Sequence, residues 1–442
     1  MPKPFHLNAF LMGVGHHEAA WRHPRTNAED VLDVRHFQRL AQVAERGRLD
    51  SIFFADGLAV GPRVAHNVQQ VFEPITLLSA ISAVTDRIGL IATASTGYND
   101  PYTLARKLAS LDHLSGGRGG WNIVTSAGAA EAANYGLDGT PDHAGRYARA
   151  DEFVEVVERL WESWDADAVV LDEEGGWFTR PDSVHEVGHE GEHFRVRGPL
   201  NVPRSPQGRP LLVQAGSSEA GKEFAARHAE AVFTAQRTIE EGRDFYRDLK
   251  ARLAAHGRSA DELKVLPGIV PFIAATEAEA RELEEEFTRL ISPAYALSQL
   301  SQMLGVELTE VDLDGPLPPL PDVSSIETNK SRFELVKALG ADGRTTVREV
   351  VAKLGGGRGH RTFAGTPEQV ADDLVDWVEG GAADGFNVMA PYLPGGLEVF
   401  VDEVVPILQD RGYFRTEYEA STLRGHYGLL EPAEPTADVH VA

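Results

Sequence analysis

Three short stretches carry side chains able to do chemistry. The first, GVGHHEAAWRHP from Gly13, crowds His16, His17, Trp21, Arg22 and His23 into one segment. Imidazoles in that number can ligate a metal, but a metal site also needs carboxylates or further histidines held close. Asp56 is the single carboxylate found at a comparable place, so no metal is expected. Two readings stay open. One is a solvated loop with Trp21 packed down. The other is an aromatic and cationic wall facing a planar substrate, with His16 or His17 as hydrogen-bond donor or proton carrier. The second stretch, GTPDHAGRY from Gly139, has the form of a helix start. Thr140 suits the N-cap and Pro141 the first helical position. His143 then falls in the first turn and Tyr147 four residues on, along the same face. A helix start attracts anions, so the pair suits an anion pocket. On spacing alone, capping plus a core tyrosine is the plainer account. The third stretch is QAGSSEAG from Gln214. Gly216, Ser217 and Ser218 offer backbone N–H groups and hydroxyls ahead of a helix, which is either a phosphate cradle or a short polar turn. Lys222 lies outside a GxxxxGK[ST] frame, and no GxSxG elbow is present. A nucleoside triphosphate site and an α/β-hydrolase are therefore not expected.

Something must hold these segments in register. Eight apolar pulses bounded by turn residues do so: FHLNAFL from Phe5, SIFFADG from Ser51, IGLIATAST from Ile88, GGWNIVTS from Gly119, PLLVQAGS from Pro210, AEAVFTAQ from Ala229, LKVLPGIVPFIA from Leu263 and FNVMAPYLP from Phe386. Most are nearly continuous, as suits strands buried on both faces of a parallel sheet. Helical patterns lie between them. This alternation predicts a (β/α)₈ TIM barrel with insertions. A doubly wound sheet is the alternative, but no GxGxxG follows any of the pulses.

In a barrel, chemistry gathers where strands end. Reading each pulse to its C-terminal end gives Asp56 on the second, Thr93 on the third, Asn122 with Ser126 on the fourth, and Gly216-Ser217-Ser218 on the fifth. The single barrel is expected over 1–430, with insertions at about 165–209 and 276–385. The first insertion suits a small hairpin, the second a cover over the barrel mouth. His360, within the second, is read as structural or exposed, with a pocket role as the alternative. Residues 431–442 are acidic and Pro-rich and are expected to be a disordered tail.

Bulk properties narrow the partners. The 442 residues carry 42 basic against 67 acidic groups, a net charge of −25. Such a chain repels nucleic acid and anionic lipid. The absence of cysteine removes disulfides, thiolate metal sites and a thiol nucleophile. No signal peptide and no membrane span are expected, which points to the cytoplasm.

Several of these motifs occur together in one known family. AAWRHP (Ala19 to Pro24), FFADGLAV, ATASTGYNDPYTLARKLASLDHLSGGRGGWNIVTS, DHAGRYARADEF, RGPLNVPRSPQGRPLLVQAGSSEAG, EGGAADGF and GYFRTEY resemble the flavin-dependent monooxygenases of the bacterial luciferase-like family. The likeness is to the branch with nitrilotriacetate monooxygenase component A, dibenzothiophene sulfone monooxygenase, pristinamycin IIA synthase and long-chain alkane monooxygenase. It extends to about Leu429. The resemblance implies a (β/α)₈ barrel that takes FMN as FMNH₂ from a separate NAD(P)H:flavin reductase. It implies that O₂ adds at the flavin C4a position and that the peroxyflavin oxygenates a small organic substrate. By the same resemblance, Asp56 and Thr93 contact the flavin. His143, Tyr147, Ser217, Ser218 and the Gly216 backbone hold its phosphate, and Asn122 and Ser126 line the pocket. His16 or His17 lies beside the ring and substrate, and a homodimer or homotetramer is expected. Two other outcomes remain, an F420-dependent oxidoreductase on the same barrel and a non-catalytic flavin-binding protein. The substrate is not readable.

Overall fold

A computed structural model of the chain describes residues 5–61, 64–66, 68, 71–304, 308, 311–320, 333, 336–337, 339–340, 343–355, 357, 359–430 and 432. The expected tail, apart from Pro432, lies outside them. Four strands come first: β1 (His6–Phe10), β2 (Ser51–Phe54), β3 (Gly89–Ser95) and β4 (Gly119–Val124). Two small hairpins follow, β5 (Val169–Asp172) with β6 (Trp177–Thr179) and β7 (His189–Glu190) with β8 (Arg195–Val196). The remaining strands are β9 (Leu211–Gln214), β10 (Ala231–Thr234), β11 (Lys264–Ile273), β12 (Arg361–Gly365) and β13 (Gly385–Val388).

Eight of them close on themselves, all parallel, in the order β1-β2-β3-β4-β9-β10-β11-β13. These are the eight apolar pulses of the sequence. Each is sandwiched between the hollow and the outer helices, which is why it reads as a continuous run. β3 shows this fully, with all seven residues buried.

Alternation sorts the side chains. Phe53, Ile91, Leu211, Val213, Ala231, Phe233 and Leu266 share one cluster inside the barrel. Ile52, Phe54, Leu90, Ala92, Trp121, Ile123 and Leu212 pack outward on the helices. Leu423 and Tyr427 stopper the N-terminal end. A Cβ on Gly89, at the start of β3, would meet Leu423 at 2.2 Å. Tyr427 stacks on His6 with ring centres 4.9 Å apart and donates to Asn8 Oδ1 at 2.9 Å.

The helices α1 (Val34–Arg46), α2 (Pro74–Ser82), α3 (Pro101–Ser115), α4 (Ala129–Asn134), α5 (His143–Trp161), α6 (Glu219–His228), α7 (Ile239–Leu253) and α8 (Glu277–Arg289) follow along the chain. Three local expectations need correction. α5 begins at His143 and its N-cap is Asp142, not Thr140. Asp142 accepts from the Gly145 N–H at 2.8 Å, and aspartate is the stronger N-cap residue of the two. The first insertion holds two hairpins, not one. The second carries a ninth parallel strand, β12, which pairs with the outer half of β11. It also carries α9 (Pro293–Leu304) and a small apolar core of its own, around Leu300, Leu304, Phe333, Val336, Val347 and Val350. Among the described residues no helix is long and apolar enough to cross a membrane.

Candidate functional site

The C-terminal rim of the barrel gathers most of the polar side chains singled out above. Thr93 on β3 and Asn122 on β4 are direct register partners. Both are buried, and Asn122 Nδ2 donates to Thr93 Oγ1 at 2.9 Å. That bond fixes the amide and leaves Asn122 Oδ1 buried with no partner among the described residues. A buried acceptor in that condition costs about 1–3 kcal/mol unless a ligand or water meets it. Asp56, just past β2, is half-buried, and its Oδ1 accepts from the Gly57 N–H at 2.9 Å. Burial raises its pKa. The Gly57 bond opposes the rise, while the charges of Glu73 and Glu131 add to it. Ser126, two residues past β4, is partly buried and holds a left-handed φ of 43°. It turns the chain sharply off the rim towards α4.

Beside the rim two helices start towards each other. Ser218 caps α6, its Oγ accepting from the Gly221 N–H at 3.1 Å. The same Oγ stands 3.4 Å from His143 Nε2, at the start of α5. Tyr147 lies one turn further along α5, its ring centre 4.9 Å from that of His143 and 5.7 Å from Phe224. Burial raises the Tyr147 pKa, opposed by its bond with Ser218, so the phenol stays a donor at neutral pH. Small residues make this convergence possible. A Cβ on Gly221 would meet Tyr147 Oη at 3.0 Å and Ser218 Oγ at 3.1 Å, and one on Gly216 would meet Gln214 Nε2 at 2.2 Å. His143, Ser217 and Ser218 are exposed, so the group of donors is open to a ligand.

His16 and His17, adjacent in sequence, part company. Both are buried. The His16 ring packs by Phe10 at 5.3 Å, and Phe10 continues through Phe53 (4.6 Å) to Phe233 (4.8 Å) as an aromatic lining of the barrel. His17 turns the other way, against Phe287 of α8 (5.2 Å) and Phe272 of β11 (6.2 Å), and its Nδ1 accepts from the Ala19 N–H at 3.1 Å. The structure therefore brings His16 to the mouth and puts His17 in apolar packing behind it. Gly15, with φ 144° and no room for a Cβ against Pro391 O (2.4 Å), makes the turn that separates them. The sequence also left unassigned the lining phenylalanines, which look like ordinary core residues.

Among the described residues no group of three or more side chains is placed to hold a metal ion. The donors do fit a phosphorylated flavin. A doubly anionic tail needs N–H and O–H donors in a small-residue cradle, as found at His143, Tyr147, Ser218 and the turn from Gly216. A polar ring edge needs a rigid buried acceptor such as Asn122 Oδ1.

The chain is similar to known proteins over nearly its whole length. A family model described as luciferase-like monooxygenase matches residues 12–384. The chain is 49% identical to N-acetyl-S-(2-succino)cysteine monooxygenase of Bacillus subtilis (strain 168), covering 97% of this chain and 98% of that protein. It is 46% identical to nitrilotriacetate monooxygenase component A of Aminobacter aminovorans, covering 98% of each. The solved structure of EDTA monooxygenase from Chelativorans sp. BNC1 superposes with a TM-score of 0.82 at 39% identity, covering 97% of this chain and 99% of that one.

Proposed function

The chain belongs to the luciferase-like monooxygenases, and from that premise we propose that it is the oxygenating component of a two-component system. FMNH₂ comes from a separate NAD(P)H:flavin reductase, and the enzyme uses it with O₂ to oxygenate a small organic substrate. The relative named component A supports a divided system. The missing dinucleotide fingerprint supports it too, since this chain then need not bind NAD(P)H.

The observation that carries the reading is the meeting of two helix starts at His143 and Ser218, 3.4 Å apart. His143, Tyr147 and Ser218, with the N–H groups from Gly216 onwards, would hold the phosphate. Ser217 adds a hydroxyl to that turn. Asn122 Oδ1 would accept from the ring edge, and its bond to Thr93 keeps it aimed. Asp56 and Ser126 border the same rim. Reduced FMN, when bound, supplies the two electrons that activate O₂. The protein's tasks are to orient that ring, to keep water from the reacting centre and to manage protons. Phe10, Phe53 and Phe233 provide the apolar wall. His16, packed on Phe10, is the imidazole placed to take up or release a proton at a ring nitrogen.

The test is an anaerobic titration of the purified protein with FMNH₂ and, separately, with reduced F420. Oxygen labelled with ¹⁸O is then admitted in the presence of N-acetyl-S-(2-succino)cysteine, nitrilotriacetate or dibenzothiophene sulfone. Binding of FMNH₂ and label in one product are expected. Tight binding of F420 without binding of FMNH₂ overturns the reading.

A further inference from the structure

A second imidazole reaches the mouth from the insertion. His360 immediately precedes β12, and its ring centre is 6.0 Å from that of His16, the planes at 77°. Three features place it there. First, Arg361 is anchored outward: its Nη1 donates to Asp373 Oδ1 at 2.7 Å and its guanidinium lies 4.5 Å from the Trp377 ring. Neighbouring side chains on a strand take opposite sides, so His360 is turned inward. Second, the ring fills space left vacant by Gly268 on β11. A Cβ there would lie 2.4 Å from His360 Nδ1 and 2.7 Å from Met389 Sδ. Third, a tight turn delivers it. His360 N–H donates to Gly357 O at 2.8 Å, and a Cβ on Gly357 would sit 2.1 Å from His360 O.

Gly268 is the register partner of Asn387 on β13, whose buried Oδ1 has no partner among the described residues. Gly268 thus has the His360 imidazole over it and Asn387 beside it on the neighbouring strand, and the imidazole in turn faces His16. A glycine in the middle of a strand weakens it, and close approach of another group is the usual reason for one. Here that group is a half-buried histidine.

We propose that His360 is a further residue of the flavin cavity, forming with His16 an imidazole pair beside the bound ring. Two such rings in one cavity supply a donor N–H and an acceptor nitrogen together, which is what holding a proton between enzyme and substrate requires. The proposal rests on the flavin reading given above.

The experiment uses full-length protein labelled with ¹³C at histidine Cε1, with H16Q, H143Q, H256Q and H360Q assigning the resonances. Oxidised FMN is added. The His143, His16 and His360 signals are expected to shift by more than a linewidth, while His256, paired with Glu223 on the flank of the barrel, stays put. Movement of His143 with a stationary His360 overturns the proposal and leaves the flavin site intact. A stationary His143 overturns the flavin reading itself, and the proposal with it. In G268A the added methyl displaces the ring, so the His360 signal loses its response while FMN affinity stays within threefold of wild type. A retained response in G268A also overturns the proposal. On a panel compound that the wild type oxygenates, H360Q lowers kcat at least tenfold with FMNH₂ affinity within threefold. An unchanged kcat argues against the pair.

Discussion

Ser218 Oγ and His143 Nε2 lie 3.4 Å apart although 75 positions separate them in the chain. Neither residue belongs to a barrel strand. The barrel sets their distance because β4 and β9 are hydrogen-bonded neighbours. α6 follows β9 directly and α5 follows β4 after the short α4, and their first turns face each other.

The first prediction concerns that pair. Loss of a hydrogen bond to a charged group costs about 1.5–3 kcal/mol. His143→Ala and Tyr147→Ala should each weaken FMNH₂ binding by roughly 10- to 100-fold, on the same constant. His143 is exposed, so its loss should hardly change the melting temperature, whereas Tyr147 packs against the core and Tyr147→Ala should lower it. Anaerobic fluorescence titration and circular dichroism check the two halves. Wild-type affinity in both variants would remove the phosphate site.

A steric counterpart tests the cradle without deleting a donor. Gly221→Ala puts a methyl 3.0 Å from Tyr147 Oη and 3.1 Å from Ser218 Oγ. Both side chains must give way by a few tenths of an ångström. Affinity for FMNH₂ should fall several-fold. Helix stability should rise slightly, since alanine is favoured over glycine by about 1 kcal/mol in a helix. Tighter binding would contradict the geometry.

Asp50 anchors the opposite end of the barrel. It is fully buried, accepts from the Leu7 N–H at 2.7 Å, and meets His6 at 3.1 Å and the Arg415 guanidinium. Burial raises its pKa, but the charges and hydrogen bonds of Arg415 and His6 outweigh it and leave the carboxyl at about 2. A folded pKa below the unfolded one stabilises above the unfolded value. Stability of order 2 kcal/mol should therefore be lost as pH falls from about 4 to about 2. Asp50→Asn leaves Arg415 without its partner and should cost about 3–5 kcal/mol at neutral pH. Urea unfolding at a series of pH values reads both effects.

Asp112 gives the reverse sign. It is buried, its Oδ1 accepting from the Gly119 N–H and from Gln207 Nε2, each at 2.7 Å. Desolvation dominates those bonds and lifts its pKa to about 6. A folded pKa above the unfolded one gives stability that is present below pH 4 and lost as pH climbs through 6. The loss is of order 2–3 kcal/mol. Asp112→Asn keeps the acceptor and removes the charge, so this decline should vanish. A variant that still loses stability between pH 4 and 6 would assign the effect elsewhere.

The sequence and the structure agree where one physical signal dominates. All eight barrel strands were legible because burial on two faces writes an unbroken apolar run. β12 was not, since RTFAG is short, half-exposed and preceded by glycines that read as loop. His143 and Tyr147 were legible as a pair because helical spacing fixes their common face. The opposite fates of His16 and His17 were not, because they turn on the backbone at Gly15. Nor was His360, whose inward aim follows from a vacancy at Gly268, 92 positions away, and no local pattern records such a vacancy.

Leu423 and Tyr427 follow every barrel strand along the chain, yet they bung the hollow from beneath. A ribosome making this protein has therefore laid down all the barrel strands before the plug emerges. Until then the nascent cylinder is open at its base and its inner wall is wet. Completion of the barrel waits on residues 423–427, and a chain stopped before them yields a pipe instead of a cup.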